Sequence, residues 1–379
     1  MTREQNVLLK LINQSQFGLS NPVCYDEVDF DALFFEATQQ SIFGLIASEF
    51  LTKCPEEKYL HEQHKMKAHY IRYNHAEEEL TNLLSKFEIP HVILKGNASA
   101  VYYTDPSCRS MGDIDFLVPQ ELYSKVKQIL IMNDFIEGHS DERHTKFSKN
   151  GILFELHHHF SYDIDLESNI VEGLKNCEVA YVNGHSFPML PKLANGLVLL
   201  DHFRRHLKDS VGLRQVIDWM MYVYHDLDDE FWNNDFGPIV REKGLESLAK
   251  VTTRMCQIYL GLSESITWCK DVDDELCNKL MKLVVDSGNF GRKNNVGRSI
   301  EAVSSSIKKV GLFHKLQESG KNNWKAYHKH HWLLPFCWIY QIFRYAKLGI
   351  KSGRSPEQLR SDLDRSKSRM EILKELGID

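Results

Sequence analysis

Two aspartates stand one residue apart in Gly112-Asp113-Ile114-Asp115, just ahead of Phe116-Leu117-Val118. Read as a β-strand, this segment points Asp113 and Asp115 to one face and Ile114 and Phe116 to the other. Two carboxylates on one face repel each other unless a cation lies between them. The pair is therefore costly as pure structure and useful as a Mg²⁺ site. A third carboxylate on a neighbouring strand would complete a cage for two ions. Glu155, in Phe154-Glu155-Leu156-His157, fits that place, and His157 shares its face. Two Mg²⁺ ions about 3.5–4 Å apart would activate an attacking hydroxyl and steady a departing pyrophosphate. The strand–turn–helix run Leu94-Lys95-Gly96-Asn97 supplies a phosphate-binding half. Gly96 lets the backbone approach a phosphate, the following helix offers free N–H groups, and Lys95 adds a mobile positive charge. Arg109 lies four residues before Asp113 and is expected to turn back and clamp a phosphate at two points.

The elements around these residues follow from pattern. Residues 2 to about 88 read as helical, with Tyr70, Tyr73, Leu80, Leu83, Leu84 and Phe87 at helix-like spacing. The pattern changes at Pro90. His91–Leu94 reads as a buried strand, Ala98–Tyr103 as a short helix, Asp113–Val118 as a second strand and Gln120–Asn133 as an amphipathic helix. His144–Lys149 and Ile152–His159 are strand-like and joined by Asn150-Gly151, a hairpin signal; Asn183-Gly184 marks another between 178–182 and 186–189. The result is a β-α-β-α-β-β core. After Pro191 the chain reads as helical again, with segments at 193–207, 212–225, 230–242 and 246–260 and a loop at Gly288–Arg292. The expected organisation is an N-terminal helical region (1–89), an α+β core (90–190), a C-terminal helical region (191–348) and a basic linker with a charged helix (349–379).

Length and composition set limits. With 379 residues, 42% hydrophobic and 26% charged, the chain is long enough for two or three domains and is no disordered protein. A net charge of −6 and the lack of a basic stripe argue against a stable nucleic-acid partner or a polynucleotide substrate. Eight scattered cysteines without a C-x-x-C pair read as reduced thiols, and the N-terminus lacks a signal-peptide pattern; both point to the cytoplasm. The most apolar run, Trp332–Phe343, is interrupted by Pro335 and Gln341 and is too short to span a membrane. It is expected to be a buried or interface helix, and the surrounding aromatic segment core.

The combination L-K-G, Tyr102-x-x-x-Pro106-x-x-Arg109, G-D-I-D-x-L-V and Glu155-Leu156-His157 resembles the uncharacterised nucleotidyltransferase family of bacteria, within the DNA polymerase beta-like nucleotidyltransferase superfamily. The resemblance is close over residues 90–160 and looser from His202 to Asp218, where family members carry H-x-x-x-H and a downstream R-x-x-x-D. It implies a polymerase beta-like palm with a mixed β-sheet flanked by helices, and Mg²⁺-dependent (or Mn²⁺-dependent) transfer of NMP from an NTP, ATP among them. It puts Asp113, Asp115 and Glu155 in the metal and catalytic role, and Lys95, Gly96, Asn97, Arg109 and Gly112 in nucleotide binding. Glu155 is expected to assist as base. His157, His202, His206 and Arg214 are expected to line the pocket, although by spacing alone the last three fit ordinary helix packing.

His157–His159 do not make a zinc site, since no cysteine lies near them in sequence. Arg143 and His144 precede a core strand, from which they could reach the phosphates, but read first as a solvated turn; His328–His331 read as a loose basic patch. The acceptor, a hydroxyl or phosphate on a small molecule or a protein, is not legible, nor is the oligomeric state. Two further readings stay open: a phospho-alcohol transferase with a similar metal site, and a non-catalytic nucleotide-binding regulator. Retention of all three carboxylates argues against the second.

Overall fold

A computed structural model describes residues 1–18, 23–209, 211–289, 312–351 and 367–378. The chain divides into two compact units, Met1–Lys293 and Asn294–Asp379.

The first unit opens with four helices: α1 (Arg3–Phe17), α2 (Phe30–Gln39), α3 (Phe43–Lys53) and α4 (Glu57–Lys86). Thr2 starts α1 with a reciprocal capping box to Gln5, which satisfies two backbone donors that a helix start leaves open. The long α4 buries Tyr70, Tyr73, Glu77, Leu80 and Leu84, a stripe at three- and four-residue spacing.

A seven-stranded mixed sheet follows, in the order β3-β4-β5-β2-β1-β7-β6. Its strands are β1 (Val92–Leu94), β2 (Ile114–Leu117), β3 (Ile136–Ser140), β4 (His144–Lys149), β5 (Ile152–His157), β6 (Glu178–Val182) and β7 (His185–Met189). Short helices α5 (Gly96–Ala100) and α6 (Tyr123–Met132) follow β1 and β2. Both Asn-Gly pairs close hairpins. Asn150 and Gly151 have φ of 52° and 76°, Asn183 and Gly184 of 47° and 83°, as a type I′ turn needs. β1 and β2 are antiparallel, whereas β2 and β5 are parallel.

Two elements were absent from the sequence reading. Edge strand β3 is exposed throughout and carries a register shift between Glu137 and Ser140, so it shows no alternation. Helix α7 (Ile164–Lys175) contains Gly173, which weakens a helical pattern. There a Cβ would come within 2.6 Å of the Ala194 Cβ, so a glycine lets α7 lie close against α8 (Lys192–Asp209).

The sheet's two faces divide the labour. Val92, Leu94 and Leu117 pack with Phe160 under Ile170 and Leu174 of α7 and Ala194 and Val198 of α8. The same face carries Asp115, two residues before Leu117 and opposite Leu94 in the β1–β2 register. Helix α9 (Leu213–Asp226) follows α8 and packs against it.

In the second unit, helices Leu312–Asn323 and Cys337–Lys351 pack together, with Trp324 stacked on Tyr340 at 4.9 Å. The Trp332–Phe343 run, expected as a buried or interface helix, buries only part of itself. Cys337 and Gln341 turn inward, but Trp332 and Phe343 are each 71% exposed. An amphipathic helix paired with one other buries only one stripe. Residues 290–292 of the expected loop and most of the basic linker lie outside the described residues; residues 367–375 are helical. Among the described residues, no helix is long and apolar enough to cross a membrane.

Candidate active site

The corner between β1 and α5 is set by backbone shape. Lys95 has φ 52° and ψ −138°, a conformation that side-chain-bearing residues rarely adopt, and Gly96 follows at φ 41°. A Cβ on Gly96 would lie 2.3 Å from the Tyr73 hydroxyl oxygen. That hydroxyl donates to the Asp113 carbonyl at 3.1 Å. Tyr73 of α4 thus holds the Lys95–Gly96 corner and the start of β2 together.

The corner aims the Lys95 ammonium at Asp115, with Nζ 2.7 Å from Oδ1. Across the parallel β2–β5 ladder, Asp115 is directly opposite Glu155. His157, two residues on, brings Nε2 to 3.0 Å from Asp115 Oδ1 and 3.6 Å from Glu155 Oε2. From β4, Lys146 pairs with Glu155 Oε1 at 2.5 Å, and His144 Nε2 lies 3.7 Å from Oε2. Register explains all of this: Lys146 faces Glu155 and His144 faces His157 across the β4–β5 hairpin.

The charges are unevenly balanced. Burial raises the proton affinity of Glu155, but His157, Lys95 and Lys146 outweigh it and hold the carboxyl far below the usual range. Burial disfavours the His157 cation, yet its bonds to Asp115 and Glu155 raise its pKa. Asp113 is pushed up to about 6 by the charge of Asp115 and by burial, which Lys95 only partly offsets. This local excess of negative charge suits a divalent cation. Among the described residues, Asp115, Glu155 and His157 also bring ligand atoms within 4.8 Å of one another. The donor set, carboxylates with one imidazole, therefore fits a metal ion.

Helix α8 adds cations that the sequence reading missed. Ala194 and Val198 lie on its core face, and the same spacing continues to Asp201 and Arg205. Asp201, fully buried, accepts from Arg204 at 2.5 Å and pairs with Arg205 Nε at 3.2 Å. The Arg205 guanidinium stacks over Phe160 at 4.4 Å, and Lys95 Nζ stands 5.8 Å from the same ring. Asp115 and Arg143 are among the charges that Arg205 senses. Arg143, read as a solvated turn, is half-buried with its guanidinium 4.7 Å over Tyr162. Its Nε and Nη1, and Arg205 Nη2, have no hydrogen-bond partner among the described residues. The periodicity of α8 was the available signal for Arg205; for Arg143 it was its place just before a core strand.

The remaining expected residues fall into different places. Gly112 is exposed beside Asp113. The Asn97 amide turns away from the corner, donating to Asn74 Oδ1 and Glu77 Oε1 at 2.9 Å each. Arg109 departs from its expected phosphate clamp. Its Nε and Nη2 donate to the two Asp218 oxygens at 2.7 Å, deep in the protein, and Tyr103 donates to Asp218 Oδ1 as well. Arg214, expected to line the pocket, donates from Nη1 to the Ser110 carbonyl at 3.2 Å. His202 and His206 face each other with Nε2 atoms 2.8 Å apart. Burial pushes the His202 pKa well below its usual value, helped by His206, Lys95, Arg205 and Arg214.

A family model described as uncharacterised nucleotidyltransferase matches residues 26–261, which contain the sheet and every residue named above in this site. The chain belongs to this nucleotidyltransferase family. The crystal structure of an antigenic nucleotidyltransferase-like protein from Paracoccidioides brasiliensis is similar at 12% identity and TM-score 0.32, over 52% of this chain and 96% of that one. No curated protein matches the chain.

Proposed function

We propose that the protein transfers a nucleoside monophosphate from an NTP to a hydroxyl or phosphate acceptor, releasing pyrophosphate in a Mg²⁺-dependent reaction. The observation that supports this reading is the cluster of Asp115, Glu155 and His157 beside the Lys95–Gly96 corner, with Asp113 close enough to feel the Asp115 and Glu155 charges. These three carboxylates would hold the metal. When bound, it would lower the pKa of the acceptor hydroxyl and neutralise the departing pyrophosphate. In the reaction, the acceptor oxygen forms a bond to the α-phosphorus as the bond to the bridging oxygen breaks.

The protein's own groups divide the remaining work. Lys95, Arg205 and Arg143 supply charge for the triphosphate, the two arginines through N–H groups not engaged elsewhere among the described residues. His157 fixes the Asp115 and Glu155 carboxylates in orientation. Glu155, held so far below the usual carboxylate range, is a poor base. We therefore assign it to binding positive charge rather than to removing the acceptor's proton. Arg109 acts through Asp218 to anchor the segment leading into β2, with no phosphate contact.

Calorimetric titration of the four NTPs with Mg²⁺ tests this on wild type, Asp113→Asn and Asp115→Asn. Metal-dependent binding by wild type that weakens in both variants is expected. Equal, metal-independent binding by all three proteins defeats the proposal. Labelled NTPs incubated with protein and cell extract would then reveal the acceptor: a product heavier by one intact NMP marks nucleotidyl transfer.

A further inference from the structure

The second unit carries an apolar tip that its own fold leaves uncovered. Residues His331–Phe336 form a 3-10 helix in which no residue is buried. Trp332, Leu334 and Phe336 are 71%, 38% and 47% exposed, and Pro335 is exposed between them. Further along, on the helix Cys337–Lys351, Ile342 and Phe343 are exposed as well. Gln317 pins the tip at its base. Its amide donates to the Leu334 carbonyl, and its oxygen accepts from the Trp338 backbone at 3.2 Å. The fold thus holds these side chains outward instead of folding them in.

The flanks of the tip are cationic. From Ser319 to Pro356 the sequence holds seven Lys or Arg residues and no Asp or Glu, in a chain whose net charge is −6. Lys321 pairs with Glu318, just outside that stretch, at 2.5 Å. Lys325 and Lys329, in the short helix Lys325–Lys329 ahead of the tip, are exposed. Arg344 directly follows Phe343. Several large apolar side chains left together in water mark a surface that meets a partner, and the charge around them says which kind.

We propose that this tip docks the protein on an anionic phospholipid surface. Trp332, Leu334, Phe336 and Phe343 enter the boundary between headgroups and acyl chains, where an indole ring is favoured, and the flanking cations meet the lipid's negative charge. Either signal alone binds a membrane only marginally, whereas an apolar insertion joined to a basic patch anchors stably. A second copy of the chain fits less well, since two-fold pairing through the tip would bring the cationic flanks together. Single-stranded nucleic acid fits less well too, because Leu334, Pro335 and Ile342 offer no aromatic face on which a base could stack. The docking is to the surface: among the described residues, no helix is long and apolar enough to cross a membrane.

Flotation of the full chain with vesicles tests the proposal, using phosphatidylcholine alone and phosphatidylcholine mixed with phosphatidylserine. Binding to the mixed vesicles is expected, with little to the neutral ones, and added salt should weaken it. Trp332→Ser combined with Phe343→Ser should weaken binding about 30-fold or more, through lost apolar insertion. Both side chains are exposed in the free protein, so the fold should stand. Lys325→Gln combined with Lys329→Gln should cost about 25-fold on the mixed vesicles, about fivefold for each charge. Asp115→Asn should float as wild type does, which separates docking from the proposed active site. Failure of wild type to float with the mixed vesicles overturns the proposal. So does flotation that survives either double substitution or is equal on neutral vesicles. A dimer in light scattering that Trp332→Ser abolishes, without lipid binding, would assign the face to a second copy instead. Single-stranded RNA that displaces the protein from mixed vesicles through the same residues would assign it to nucleic acid; both results overturn lipid docking.

Discussion

Asp113 costs the folded protein stability, and replacing it should show how much. Its carboxyl rises from an ordinary 3.8 to about 6 because Asp115 and burial disfavour the anion. A folded-state pKa above the unfolded one means that the native state binds the proton more tightly. The stabilisation this gives is complete below the unfolded pKa and is lost as pH climbs through the folded one. Wild type should therefore lose stability between about pH 4 and pH 6, on top of whatever other groups do. Two pKa units at about 1.4 kcal/mol each set a ceiling of about 3 kcal/mol, and partial exposure of the site trims it to roughly 2. Asp113→Asn removes the titrating charge and should be more stable than wild type by roughly 2 kcal/mol at pH 8, with almost no advantage at pH 3.5. Urea unfolding at the two pH values measures this directly. Millimolar Mg²⁺ at pH 8 should narrow the gap by stabilising wild type more than the variant, since ligand binding to the native state adds to its stability. A variant no more stable than wild type at pH 8, or an advantage that does not depend on pH, would refute the reasoning. Such a result would mean that Asp115 and Asp113 do not repel and that the site has no deficit for a cation to fill.

Breaking the Arg109–Asp218 pair should be far more damaging. Arg109→Ala strands the buried Asp218 carboxylate, and about 3–5 kcal/mol of destabilisation is expected in urea melts; a loss under about 1 kcal/mol would contradict a structural role. Gly96→Ala should lower the melting temperature markedly, since its Cβ would collide with the Tyr73 hydroxyl; Tyr73→Phe in the same chain should restore part of the loss, and strict additivity would argue against the contact. Arg143→Ala and Arg205→Ala should each weaken Mg²⁺–NTP binding by about 10–100-fold in calorimetry, the worth of a charge-assisted hydrogen bond; unchanged affinity would remove that arginine from the triphosphate.

What could be read from the chain, and what could not, follows from how far each signal reaches. Alternation along Asp113–Phe116 and Phe154–His157 is local, and it was enough to put Asp115, Glu155 and His157 on one face. Both Asn-Gly hairpins are equally local, because φ above zero at two successive positions leaves few residue choices. The pairing of Arg109 was hidden for the opposite reason. Its phosphate role was inferred from four residues of spacing, whereas its partner, Asp218, lies 109 residues away and no local pattern announces it. The partners of the Asn97 amide, Asn74 and Glu77, were hidden likewise, on a helix that precedes the sheet. Long-range pairing decides which charged residues remain available to a substrate. Arg109 and Asn97 are held by structural partners, whereas Lys95 and Arg205 lie beside Phe160 and Arg143 over Tyr162. A polyanion meeting this site would thus be gripped by α8 and the β3–β4 side of the sheet, rather than by the loop that precedes Asp113 in sequence.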